Sequence, residues 1–136
     1  YGRTPIVAVG TTDMHAQTQQ HQDGRLNKVV QFLEVANPVE EAIVHNPFPD
    51  FKLFAQYEGM DMRKNLRAAL NANEGALTSD NRYNARFVLP KLNEYYLGQL
   101  MYFLMLSVAY EGELADVDAY DQPGVEVYKR LMKEQL

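Results

Sequence analysis

Two short apolar runs, at residues 5–9 (Pro-Ile-Val-Ala-Val) and 28–36, lack the apolar–polar alternation of a strand with one wet face. The second carries Val29, Val30, Phe32, Leu33 and Val35, so both of its faces are apolar. Continuous runs of this kind suit strands covered on both sides, as in a parallel sheet. Parallel strands need a crossover between them, and helical patterns separate the runs. Thr12 or Asp13 can cap a helix through His15 to His21, which Gly24 closes. Residues 37–50 hold three prolines and are expected to be loop. Residues 61–73 form a helix with Met62, Leu66, Ala69 and Leu70 on one side and Arg63, Lys64 and Arg67 facing out. Residues 73–84 are polar and loop-like, and a third strand at residues 85–89 is stopped by Pro90.

Strands alternating with helices predict an α/β fold, a three-layer αβα sandwich with a mainly parallel sheet. Three strands make a thin sheet, so sequence outside this chain is expected to complete it. The longest helix starts at Asn93 and reaches about Ala115. Tyr95, Tyr96, Leu97, Leu100, Met101, Phe103, Leu104, Leu106 and Val108 nearly surround it, as on a helix buried on several sides. At 136 residues the chain is long enough for one domain with a sizeable core. The apolar stretch from Tyr95 to Tyr110 falls short of the ~20 residues of a membrane span, so no membrane role is expected. A net charge of −5 without a Lys/Arg-rich run argues against nucleic acid as a partner. The absence of cysteine removes disulfides and thiolate metal sites, in keeping with a cytoplasmic location. The chain begins Tyr-Gly-Arg-Thr-Pro without Met, as a fragment or processed chain does.

A last helix opens at residues 120–129 (Tyr-Asp-Gln-Pro-Gly-Val-Glu-Val-Tyr-Lys). Asp121 can cap it, and Pro123 fits a first-turn position that needs no donor. Val125, Tyr128 and Met132 give it an apolar face. Gln122, Glu126 and Lys129, at i, i+4 and i+7, fall within about 60° of one another on another face. An amide, a carboxylate and an amine in one stripe can reach an oxygen-rich ligand. The plainer reading is a solvated face with a Glu126–Lys129 ion pair. His15 stands where ligands collect in open α/β sheets, beyond a strand and at a helix start. His21 lies about 600° further round that helix, so the two histidines lack the spacing of helical metal ligands. His45 sits in a proline-rich loop. No metal site is expected.

The stretch Tyr120, Asp121, Gln122, Gly124, Val125, Glu126 and Lys129 resembles the C-terminal signature of the glucose-6-phosphate isomerase family at each fixed position. The sequence Gly10-Thr11-Thr12-Asp13-Met14-His15 is similar to the family's turn before a catalytic histidine, although Met14 stands where Gln is common. Residues 27–35 resemble the strand that follows, 73–75 a family loop, and 92–114 the long helix before the signature. The resemblance covers essentially the whole chain but only the C-terminal portion of the family's length. It implies that residues 1–136 are a C-terminal sugar-isomerase (SIS) subdomain.

That resemblance implies aldose–ketose isomerisation of glucose 6-phosphate to fructose 6-phosphate, with no metal or organic cofactor. It assigns His15 to proton transfer in ring opening, from the neighbouring subunit of an obligatory homodimer. Lys129 is implied in ring opening and charge stabilisation, Gln122 in orienting hydroxyls, and Glu126 in holding Lys129. The family's base, a glutamate preceding the histidine turn by some tens of residues, and its phosphate-binding loops are expected in sequence outside the chain. Little activity is therefore expected of these residues alone. Two alternatives stand beside this reading. One is a non-catalytic sugar-phosphate-binding module of the same fold, which would not need Lys129. The other is an interaction domain that docks a partner through the apolar helix.

Overall fold

The structure is a computed structural model, and it describes residues 3–48 and 50–136. The chain divides into two compact units, residues 1–92 and 93–136, each considered by itself. In the first unit the order is α1 (Met14–Asp23), β1 (Val30–Val35), α2 (Lys52–Ala55), α3 (Met62–Ser79) and β2 (Asn84–Leu89). The second unit holds α4 (Glu94–Leu114) and α5 (Pro123–Lys133).

β1 and β2 pair in parallel, in register from Val30 opposite Asn84 to Val35 opposite Leu89. The ladder extends one bond past each end, from the Val30 amide to the Tyr83 carbonyl and from the Ala36 amide to the Leu89 carbonyl. The parallel α/β character predicted from the sequence is therefore present, with α3 as the connection between the two strands. The first apolar run departs from expectation. Residues 5–9 form no strand, and Ile6 and Val7 are 80% and 91% exposed. A run without alternation states that a segment is apolar but does not specify its pairing partner, and strand structure exists only through pairing.

α3 is longer than its apolar periodicity predicts. It continues through residues 73–79, where polar composition suggested a loop. Polar side chains of this stretch face the sheet because the sheet answers them with charge. Arg86 of β2 bonds Glu74, reaches Asn71 Oδ1 at 2.8 Å and meets Glu34 of β1 at 3.0 Å. Arg67 was expected to face out. Instead its guanidinium contacts Glu34 at 2.8 Å and donates to the Ala36 carbonyl at 2.7 Å. Partly buried charges persist only when paired, and this set pairs two arginines with two glutamates. Leu77 of the same helix is fully buried, and with Leu89 it completes the buried apolar residues among those described.

Caps set the helix boundaries. Asp61 accepts from the Arg63 amide at 2.9 Å and Asn93 accepts from the Tyr96 amide at 3.0 Å, so α3 and α4 each start on an N-cap side chain. Both end in the same motif, with a left-handed residue just past the helix: Asn81 and Asp116, each at φ 54°. The Arg82 amide returns to the Leu77 carbonyl at 2.8 Å, and the Val117 amide to Gly112 at 2.9 Å. Gly112 is required there, because a Cβ would lie 2.7 Å from that of Ala119. The loop between β1 and α3 is tied by an antiparallel bridge of Ile43 with Asp61. It also contains the four-residue α2.

Candidate functional site

His15 is the second residue of α1 and is exposed. The turn before it is closed from both ends. The Asp13 amide donates to the Val9 carbonyl at 2.8 Å, and Asp13 Oδ2 accepts from the Val9 amide at 2.7 Å. Asp13 occupies the N-cap position, yet its side chain makes no cap bond to the helix. The expected cap is thus replaced by a clamp on the turn, a choice of direction that short polar side chains have at helix starts. α1 ends at Gly24, as predicted, and Gln22 ties it to α3 by donating to the Ala76 carbonyl at 2.9 Å and bonding Asp80.

His21 lies on the same helix and is half-buried. Burial, aided by the Lys28 ammonium, pushes its imidazole below the ordinary range, so it favours the neutral form. His45 is exposed in the loop before α2. Among the described residues no three His, Asp or Glu side chains are grouped to hold a metal ion. No helix among them is long and apolar enough to cross a membrane.

The second unit carries the other candidates. Pro123 opens α5 at its first turn, as the sequence predicts. The cap is different from the expected one. Gln122 is the N-cap residue, and the Asp121 carboxylate accepts from the Gln122 amide at 2.7 Å instead of from the first turn of the helix. Gln122 has φ −132° and ψ 65°, outside helical geometry. Regular helical geometry therefore starts after Gln122, at Pro123, and covers only Glu126 and Lys129 of the three positions. The other two positions do come together. Lys129 Nζ donates to Glu126 Oε1 at 2.7 Å, with side chains 55% and 67% exposed. Val125, Tyr128 and Met132, the predicted apolar face, remain exposed.

Glu126 and Lys129 border an open depression that Arg130, Lys133 and Glu134 also line. Three cations and two carboxylates form a concentration of charge able to meet an oxyanion or a polyol. Arg130 and Lys133 were not singled out from sequence; their signal was the cluster of bases in the last turns of the helix. The Arg86–Glu34–Glu74–Arg67 network was also missed. Its signal was a charged residue inside each mainly apolar strand, Glu34 in the second run and Arg86 in the third. His15 belongs to the first unit, and Gln122 and Lys129 to the second.

No protein-family model matches the chain. Individual proteins match it along nearly its whole length. The glucose-6-phosphate isomerase of Carboxydothermus hydrogenoformans is 36% identical over 129 residues, which is 95% of this chain and 28% of that protein. The protein of the same name from Methanocaldococcus jannaschii is 31% identical over 96% of the chain and 32% of its own length. That from Thermus thermophilus is 35% identical over 99% of the chain and 32% of its length. A crystal structure of a hypothetical protein from Thermus thermophilus superposes with a TM-score of 0.81 at 31% identity, covering 94% of this chain and 31% of that one. The chain thus spans less than a third of the length of these relatives, and the architecture described above is shared with a solved structure.

Proposed function

Because this chain is homologous along 95% of its length to a part of glucose-6-phosphate isomerase, we propose that it forms the C-terminal sugar-isomerase subdomain of such an enzyme. The substrate of the assembled enzyme is a phosphorylated hexose, and the reaction interconverts glucose 6-phosphate and fructose 6-phosphate. The observation that carries this reading is the near-complete match to relatives of that name. The Lys129–Glu126 pair on α5, in the stretch that resembles the family signature, supports it.

In this proposal the reaction moves a proton between two neighbouring carbons of the opened sugar, through an enediolate, with no metal or organic cofactor. His15, exposed at the start of α1, exchanges the proton that opens the ring, since imidazole side chains as a class are suited to proton transfer near neutrality. It does so in the site of the neighbouring subunit of a homodimer. Lys129 places a positive charge beside the sugar oxygens, where negative charge develops. Gln122, at the start of α5, binds substrate hydroxyls. The carboxylate that abstracts the carbon-bound proton, and the groups that hold the phosphate, come from sequence outside these residues. The assembled enzyme is cytoplasmic, with neither nucleic acid nor membrane as a partner.

The test is an assay of fructose 6-phosphate formation by the 136-residue chain and by the complete enzyme that contains it. The expected result is turnover by the complete enzyme and little by the chain alone. Robust turnover by the chain would show that it carries its own base. No turnover by the complete enzyme, with sugar phosphate still bound, would favour a non-catalytic sugar-phosphate module.

A further inference from the structure

We propose that Asp13 is a positioning residue for His15: by clamping the turn at residues 9–13, its carboxylate fixes where the imidazole stands for proton transfer. This rests on the isomerase reading and goes beyond it by identifying what holds one of its groups in place.

An aspartate at a helix N-cap ordinarily turns its carboxylate forward, onto the free amides of the first helical turn. Asp13 turns it backward. Oδ2 accepts from the Val9 amide at 2.7 Å while the Asp13 amide donates to the Val9 carbonyl at 2.8 Å. Two bonds of opposite sense between the same two residues enclose Gly10, Thr11 and Thr12 in a ring. A third bond, from the Met14 amide to the Thr11 carbonyl at 3.1 Å, joins that ring to the first residue of α1. Of the bonds to Val9 the carboxylate's is charge-assisted, and such bonds are roughly twice as strong as neutral ones.

Little packing supports this turn. Residues 9–12 are exposed, and the space beside Gly10 is open where a Cβ would stand. Within this chain hydrogen bonds, and not buried apolar contacts, hold the path of the turn. His15 follows Asp13 by two residues and is exposed, so the orientation of its imidazole depends on the backbone that enters α1. A proton donor must stand within hydrogen-bond reach of its acceptor, and misplacement by about 1 Å can cost on the order of 100-fold in rate. The clamp has the geometry needed to prevent such a shift.

The experiment is a double-mutant cycle in the complete enzyme, reading kcat and kcat/KM for Asp13→Ala, His15→Gln and the two combined. Asp13→Ala is expected to lower kcat by about 10- to 100-fold. Added to His15→Gln it is expected to lower kcat by no more than about twofold, because a residue that acts through the imidazole has nothing left to position. Asp13→Asn, which keeps an acceptor oxygen for the Val9 amide, is expected to recover most of the lost rate. If Asp13→Ala does not fold, Asp13→Glu serves the same cycle, since its longer arm displaces the turn while keeping the charge. Equal losses in both backgrounds, or an unchanged kcat with Asp13→Ala, would overturn the proposal. The isomerase reading fails separately: the unmodified complete protein would then form no fructose 6-phosphate.

Discussion

The chemical role proposed for Lys129 can be tested separately from any structural one. Its amine meets Glu126 at 2.7 Å, but both side chains are more than half exposed. A helical pair of this kind contributes about 0.2–0.5 kcal/mol. Removing it should hardly disturb α5, so a large loss of rate would be chemical in origin. Lys129→Ala in the complete enzyme is expected to lower kcat by roughly 100-fold or more, the scale of a lost proton-transfer or charge-stabilising group. Circular dichroism and the melting temperature should stay near those of the parent. Near-normal turnover would make Lys129 a solvated surface residue. Glu126→Gln offers a finer reading, since it keeps a hydrogen-bond acceptor while removing the charge. If Glu126 only holds the amine in place, this variant should lose far less than Lys129→Ala.

At the scale of elements, α3 joins the two strands, and its start is electrostatic. Asp61 caps the helix through the Arg63 amide and also binds the Arg63 guanidinium with both oxygens. That guanidinium bond holds the Asp61 carboxyl at about 2, below the usual carboxylate range. The folded state therefore binds this proton less readily than the unfolded chain. Stability from Asp61 is fully present above about pH 4, the ordinary carboxylate value, and is lost as pH falls toward 2. Asp61→Asn retains a good cap but not the charge. It should flatten the acid limb of stability between about pH 4 and pH 2, as read by urea unfolding at a series of pH values. An unchanged limb would mean that other carboxylates control acid unfolding.

The same helix shows what the sequence could and could not reveal. Asn93 and Pro123 marked their helix starts correctly, because caps and first-turn prolines act through the local backbone. The parallel character of the sheet followed from apolar runs divided by helices, but the choice of partner, residues 30–35 with 84–89, did not. The extension of α3 to Ser79 was concealed because its inward residues are polar and are answered by Arg86, a partner distant in sequence. Site residues divide along the same line. Lys129 with Glu126 was legible as neighbouring turns of one helix. The backward orientation of Asp13 was not, since nothing local decides which amide a carboxylate at a helix start selects.

For the whole molecule, the balance of buried and exposed apolar surface is the dominant fact. Among the described residues only Leu77 and Leu89 count as buried hydrophobic side chains. On α4, Tyr95, Met101, Tyr102, Met105, Val108 and Tyr110 are each more than half exposed. A stable domain of this size normally withdraws most of its apolar surface from water, at about 25 cal/mol per Å². A chain that leaves a long apolar helix so exposed lacks much of that stabilisation when studied alone. The relatives it matches are more than three times the length it spans, so far more chain is available in them to cover such surfaces. The 136-residue chain in isolation is thus expected to bind the dye ANS strongly and to unfold over a broad temperature range. The longer protein proposed to contain it should bind little dye and melt sharply. A sharp, dye-free transition of the isolated chain would mean that it covers α4 by itself or with a second copy. Sedimentation at two concentrations would separate those cases, because only self-association depends on concentration.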